Sequence, residues 1–211
     1  MMKMTKVILG IILLLICAPA FGQEESAIKL EIGMKAPLTE LRLLDLKNEY
    51  KSLKEEKKSN GLIVVFSCNT CPFVVGSNKF EGWEKDYNDL AMLAAKHDVG
   101  FILVNSNEAK RDGDDSQKEM IAHAAELGYM MPYLIDANST MANAFGAKTT
   151  PHVFMFDGTM KLNYKGSIDN SWDNKKEVLV PYLQQAILQS IQGQEISYPE
   201  TAPKGCSIKR Q

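Results

Sequence analysis

Short apolar runs and amphipathic stretches alternate along the chain and predict its secondary structure. Residues 62–66 and 99–104 are continuous apolar runs rich in β-branched side chains, as expected of strands buried on both faces. Between them, apolar residues over 80–94 recur at alternating spacings of three and four, which predicts one long amphipathic helix after Pro72. A strand, a helix and a strand in this order favour a parallel pair joined by a right-handed crossover.

The second half of the chain predicts a helix followed by a hairpin. Ser116 and Glu119 have the spacing of a capping box, so a helix should begin there and end at Gly128. Residues 152–156 and 161–164 are strand-like stretches on either side of an Asp-Gly pair, which is typical of hairpin turns.

A last amphipathic helix is predicted over residues 178–191, either beginning or kinking at Pro181 and ending at Gly193. Together the elements predict an α/β fold with a central sheet and helices on both faces. The 211 residues, 45% of them hydrophobic, suffice for one such domain. We expect this domain over 23–193 and a C-terminal tail over 194–211.

The charge balance excludes some classes of partner. The chain has 24 Lys and Arg against 26 Asp and Glu, a formal net charge of -2. No strong field is therefore expected to attract nucleic acid or an anionic membrane surface. The sequence gives no indication of the oligomeric state.

The N-terminus has the pattern of a secretory signal peptide. Lys3 and Lys6 precede an apolar run over 7–17, and small residues follow around Ala20 and Gly22. We expect cleavage after Gly22 or after Ala20, with residues 1–22 as the signal peptide. The mature protein is then exported, to the periplasm in a Gram-negative bacterium, with no stable membrane span. An uncleaved N-terminal membrane anchor is the alternative.

Cys68 and Cys71 follow the first buried strand directly and carry the clearest chemistry. Thiolates at a helix N-terminus are stabilised by free backbone N–H groups and by the helix dipole, which lowers their pKa. Pro72 suits the first turn of such a helix. We therefore predict a redox-active pair in which Cys68, at the exposed edge, is the low-pKa attacking thiol. Cys71 is then the resolving thiol that releases the substrate from a mixed disulfide.

Other uses of these cysteines fit the sequence less well than redox exchange. A zinc site needs about four ligands, and the three histidines are scattered, so no metal is predicted. A disulfide that serves stability alone is disfavoured because so small a loop gains little entropy. A copper carrier that uses Cys68, Cys71 and His152 remains the alternative from another functional class.

Three motifs in one order resemble a known family. Residues 68–74 read Cys-Asn-Thr-Cys-Pro-Phe-Val, residues 150–157 read Thr-Pro-His-Val-Phe-Met-Phe-Asp, and residues 205–209 read Gly-Cys-Ser-Ile-Lys. The chain is similar to the thioredoxin superfamily over about 33–193, and within it to the redoxin group related to alkyl hydroperoxide reductase and thiol-specific antioxidant proteins.

This resemblance implies a thioredoxin-like three-layer sandwich with a central mixed β-sheet flanked by helices. It also implies a cis Thr150–Pro151 bond, in a loop that lies beside the cysteines and offers its backbone edge to a substrate chain. The expected activity is thiol-disulfide exchange with protein or small-molecule thiols and disulfides. No cofactor is expected beyond the Cys68–Cys71 disulfide.

The sequence also departs from the patterns of related families. Peroxiredoxins carry a proline and a Thr or Ser where this chain has Gly61 and Val65, so a thiol-dependent peroxidase is only an alternative function. The strand before the cysteines has no carboxylate that could serve as a proton acceptor. His152 stands where relatives often have an acidic residue, and a local effect on a thiol pKa is the only role that suggests itself.

Cys206 lies in a short polar tail of the kind that is usually loosely held. Two interpretations stay open: an inert or structural thiol, and a third redox cysteine. We expect a Cys206→Ser variant to keep the Cys68–Cys71 couple working on a model disulfide.

Overall fold

The computed structural model describes residues 30–172 and 178–211, so the predicted signal peptide lies outside the described residues. Strands and helices alternate along most of this range. The strands are β1 (Leu43–Asp45), β2 (Tyr50–Lys51), β3 (Gly61–Ser67), β4 (Gly100–Asn105), β5 (Tyr133–Ile135), β6 (Thr149–Thr150), β7 (His152–Asp157), β8 (Leu162–Gly166) and β9 (Cys206–Ser207). The helices are α1 (Leu53–Glu56), α2 (Pro72–Val75), α3 (Tyr87–Lys96), α4 (Gln117–Glu126), α5 (Thr140–Phe145) and α6 (Tyr182–Ile191).

Seven strands form one mixed sheet in the order β2-β1-β5-β4-β3-β7-β8. Strand β3 lies near its centre, parallel to β4 and antiparallel to β7. Both predicted strands of the parallel pair and the hairpin of β7 and β8 are therefore confirmed. Strands β6 and β9 form a separate two-stranded pair.

The sheet separates two hydrophobic clusters and is covered by helices on both sides. Helices α3 and α6 pack on one cluster, and α1 and α5 pack on the other. Side chains of β3 alternate between the two, as the period of a strand requires: Ile63 and Val65 face the first cluster, and Val64 and Phe66 the second. The predicted three-layer α/β sandwich with a thioredoxin-like fold is confirmed.

The prediction of one long helix after Pro72 is wrong. Helix α2 is a single turn, and α3 starts only at Tyr87. Between them Gly82 has a φ of +82°, and a Cβ there would lie 2.3 Å from the carbonyl oxygen of Val74, so the chain turns back on itself. The apolar spacing arose because the loop packs Trp83 into the same core as the helix that follows.

The other helix boundaries agree closely with the sequence pattern. The Ser116 side chain accepts a hydrogen bond from the N–H of Glu119 at the start of α4, which is half of the predicted capping box. Gly128 and Gly193 follow α4 and α6 with φ of +58° and +65°. Helix α6 starts after Pro181, so the first of the two predicted alternatives is correct.

The C-terminal tail is docked, which corrects the expectation of a loosely held end. Ile208 is 5% exposed and packs into the second cluster. The N–H of Lys209 donates to the side-chain oxygen of Asn107 at 2.8 Å. The guanidinium of Arg210 donates to the side-chain oxygen of Asn143 at 2.7 Å. Among the residues that the structure describes, no helix has the length and apolar character to cross a membrane.

Candidate active site

Cys68 and Cys71 lie where the central strand β3 ends and the one-turn helix α2 begins. Cys71 occupies the N-cap position, and Pro72 takes the first helical position, as predicted. Both cysteines are buried, at 2% and 3% exposure, and both are free thiols. The prediction that Cys68 lies at an exposed edge is therefore wrong.

The loop before β7 lies against both sulfurs. Cys68 Sγ is 3.1 Å from Thr150 Oγ1, and Cys71 Sγ is 3.0 Å from the carbonyl oxygen of Thr150. The Thr150–Pro151 peptide bond is cis, which confirms the implication of the family resemblance. The expected juxtaposition of this loop and the cysteine pair is also confirmed.

The backbone edge of Thr150 is occupied by the protein's own tail. Strand β9 pairs antiparallel with β6, with Cys206 opposite Thr150 and Ser207 opposite Thr149. The N–H of Cys206 donates to Cys71 Sγ at 3.2 Å. In this conformation the edge is not open to a substrate chain, contrary to the expectation from the sequence.

Hydrogen-bond donors reach both sulfurs, but more of them reach Cys71, while the Thr150 hydroxyl and the N–H of Thr70 only partly offset the raised pKa of Cys68. A hydrogen bond from the Cys68 thiol lowers the pKa of Cys71 to about 5, although burial opposes this shift. The thiol and the N–H of Cys206 also contribute to this lowered pKa of Cys71. The carbonyl oxygen of Thr150 favours protonated Cys71, but it is one acceptor against several donors. The thiol–thiol hydrogen bond and burial raise the pKa of Cys68.

These contacts favour the thiolate at Cys71 rather than at Cys68, opposite to the order expected from the sequence. The reason is local: α2 has only one turn, so its dipole is small, and Cys68 is as buried as its partner. A stabilised thiolate at Cys71 suits the second half of the exchange, in which this sulfur displaces the substrate or leaves as a thiolate.

A buried carboxylate that the sequence did not single out holds the cysteine loop in place. Asp115 accepts hydrogen bonds from the backbone N–H of Asn69 at 2.9 Å and from the amides of Asn105 and Asn107 at 2.7 and 2.9 Å. Its charge adds a small increase to the pKa of Cys68. Tyr133 donates to the side-chain oxygen of Asn69. In the sequence Asp115 only closes a polar loop, and nothing local marks it.

His152 lies on the other side of the sheet from the cysteine pair. Its ring packs against Phe154 in the second cluster, with the centroids 4.5 Å apart, and accepts a hydrogen bond from the N–H of Lys148. Burial, with Lys165 and Lys148 nearby, lowers its pKa to about 3. Its proposed auxiliary role is therefore not supported. Within 30–172 and 178–211 no group of three His, Cys, Asp or Glu side chains is arranged to hold a metal ion.

Comparisons with known proteins give a family match and structural neighbours. Residues 31–180 match the model of the redoxin family. An uncharacterized conserved protein from Geobacillus kaustophilus is similar, with a TM-score of 0.76 and 29% identity over 86% of this chain and 93% of that one. A hypothetical protein from Sinorhizobium meliloti 1021 has a TM-score of 0.75 and 27% identity over 87% and 97% of the two chains.

A more distant neighbour is similar in fold alone. The peroxidoxin BcpB from Mycobacterium tuberculosis has a TM-score of 0.56 and 16% identity, over 78% of this chain and 97% of that one. A search of curated protein sequences gives no significant match.

Proposed function

The chain belongs to the redoxin family, and from that premise we propose that it catalyses thiol-disulfide exchange through Cys68 and Cys71. Membership confirms the resemblance to the redoxin group, and it supports a thiol redox enzyme. The observation that carries the finer proposal is the cluster of two buried sulfurs around Thr150, with hydrogen-bond donors gathered on Cys71. Protein or small-molecule thiols and disulfides are the proposed substrates.

The division of labour follows from the two thiol environments. An incoming thiolate attacks Cys68 of the oxidised pair, the Cys68–Cys71 bond breaks, and Cys71 leaves as a thiolate. A leaving thiol of low pKa departs faster, so the hydrogen bonds to Cys71 favour this step. In the reverse direction the Cys71 thiolate attacks Cys68 and displaces the partner. Cys68 thus carries the mixed disulfide and Cys71 resolves it.

The two alternatives are less well supported. A copper site needs His152 beside the cysteines, whereas His152 packs in the cluster on the opposite side of the sheet. A peroxidase of the usual pattern needs a hydroxyl at position 65, where the buried Val65 packs in the core.

Turnover on insulin disulfides, with a thiol reductant in excess, tests the proposal on the mature chain, residues 23–211. We expect turnover that Cys71→Ser abolishes and that Cys68→Ser lowers. Ser207→Ala is the matched control because Ser207 is exposed and adjacent to the site, and it should turn over normally. Tight copper(I) binding without disulfide turnover would contradict the proposal and favour a carrier.

Export is part of the proposal, supported by Lys3, Lys6 and the apolar run over 7–17. Export would place the cysteines in a compartment where disulfides persist. Expression of the full chain in a Gram-negative host should give a periplasmic protein whose N-terminal residue, by sequencing, is Gln23. Recovery of the intact N-terminus in the membrane fraction would instead favour the uncleaved anchor.

A further inference from the structure

The tail holds Cys206 in a fixed position between two anchored residues. On one side, the N–H of Lys204 donates to Ser167 Oγ at 3.2 Å, and the Lys204 ammonium lies 4.1 Å from the centre of the Trp172 ring. On the other side, the N–H of Ile208 donates to the carbonyl of Lys148 at 3.1 Å, and its side chain is buried. Cys206 is therefore not a thiol on a frayed end.

Gly205 allows the tail to approach the cysteine site closely. A Cβ at this position would lie 2.1 Å from the carbonyl oxygen of Thr150, which no larger residue can adopt without a shift. The result is the pairing of Cys206 with Thr150 and the hydrogen bond from its N–H to Cys71 Sγ. Since an N–Cα bond is about 1.46 Å, the Cα of Cys206 lies within about 4.7 Å of Cys71 Sγ.

A disulfide needs its two Cα atoms about 4.4–6.8 Å apart, and with Cys71 Sγ this close to the Cys206 Cα such a separation is within reach. Burial and the neighbouring Cys71 thiol both raise the pKa of Cys206, so the two side chains lie close to each other. Cys71 is therefore the shared neighbour of Cys68 and Cys206.

The three thiols differ in their access to solvent. Cys68 and Cys71 are buried, and the edge beside them is filled by β9. Cys206 is partly exposed. A partner that meets the docked conformation therefore contacts the sulfur of Cys206 first.

We propose that Cys206 is a third redox thiol, which exchanges with Cys71 and so moves the disulfide between the buried Cys68–Cys71 pair and a solvent-facing Cys71–Cys206 pair. This inference rests on the proposed function. It assigns small thiols, and exposed cysteines of partner proteins, as the reactants that meet the centre at Cys206.

The internal step balances without an external oxidant. The Cys206 thiolate attacks Cys71 Sγ, the Cys71–Cys206 bond forms as the Cys68–Cys71 bond breaks, and the proton lost by Cys206 is taken up by Cys68. An external thiolate then attacks Cys206, and Cys71 leaves as a thiolate. The donors that lower the pKa of Cys71 make it a good leaving group here too.

A Cys68→Ser variant isolates the proposed pair. Oxidised glutathione should convert it to a protein with an internal disulfide, in which glutathione is first attached to Cys206 and then displaced by Cys71. Trypsin would release the disulfide as a cross-link between residues 59–79 and 205–209, detected by mass spectrometry. In Cys71→Ser, Cys68 and Cys206 should instead become separately glutathionylated.

A displaced thiol provides the matched control. In the Cys68→Ser background, C206S together with S207C moves the thiol to the opposite side of β9, because successive side chains of a strand alternate. We expect its cross-link to Cys71 to form at least about tenfold more slowly. A folded Cys68→Ser protein without the internal cross-link, or equal rates for the two positions, would overturn the inference. Insulin turnover of the unsubstituted chain reports separately on the proposed function, so the two failures are distinguishable.

Discussion

Replacing Gly205 with alanine should withdraw the tail from the cysteine site. The added Cβ would lie 2.1 Å from the carbonyl oxygen of Thr150, while real contacts of this kind are not shorter than 3.0 Å. Strand β9 must therefore retreat by about 0.9 Å, the difference between those distances. The bond from the N–H of Cys206 to Cys71 Sγ, now 3.2 Å, then lengthens to about 4 Å, where such a bond is weak.

The consequence for Cys71 follows from the loss of that donor. A hydrogen bond to a charged group is worth about 1.5 kcal/mol, which corresponds to a change of about one in the pKa. Gly205→Ala should therefore raise the pKa of Cys71 by about that amount, and not further, because the Cys68 thiol remains as the principal donor. The lost strand pairing should also make Cys206 more accessible.

The assay is the pH dependence of iodoacetamide alkylation, with each labelled cysteine identified by fragment-ion mass spectrometry. Gly113→Ala is the matched control because a Cβ there has its nearest neighbour at 3.8 Å, and it should leave the profile of Cys71 unchanged. An unchanged Cys71 midpoint in Gly205→Ala, with Cys206 labelled no faster, would refute the reasoning.

Three further predictions concern the surroundings and the chemistry of the site. Asp115→Ala leaves several buried donors without an acceptor, so it should lower the free energy of unfolding by about 3 kcal/mol in urea titrations. A loss below about 1 kcal/mol would count against the anchoring role of Asp115. The Glu84 carboxylate raises the pKa of His123, so the stability from this pair is fully present below about pH 6.5 and is lost as pH rises through the raised value. Glu84→Gln should flatten that pH dependence, and an unaltered slope would place its origin elsewhere. Cys71→Ser should trap partners on Cys68 as mixed disulfides that thiol reductants release on gels, and their absence in cells would argue against Cys68 as the substrate-bonding sulfur.

Local sequence patterns correctly predicted the strands that are buried on both faces and the helices whose ends are marked by glycine. The central strand β3 is apolar at almost every position because both of its faces are covered, and glycines mark the ends of α4 and α6. The failed helix after Pro72 shows the limit of such patterns. Spacings of three and four continued through a loop because the loop packs on the same core as α3.

The parts of the site that the sequence missed depend on contacts between distant segments. Asp115 meets Asn69, and Cys206 meets Cys71, over 46 and 135 positions of sequence. No local spacing encodes either contact. The position of His152 could have been found, because alternation along β7 places it on the same face as Phe154, away from Val153 and the cluster that contains the cysteines.

The reversible disulfide between Cys68 and Cys71 is tested most directly by a redox titration of the mature Cys206→Ser chain, in which no third thiol competes. The protein is equilibrated in glutathione buffers, quenched by alkylation, and its disulfide state is read by mass spectrometry. We predict a two-electron transition, with about 30 mV for each tenfold change in the ratio of oxidised to reduced protein, carried by one internal Cys68–Cys71 bond. A folded protein in which both thiols remain alkylatable across the whole range of buffers, or acquire only separate glutathione adducts, would contradict a redox role for the pair.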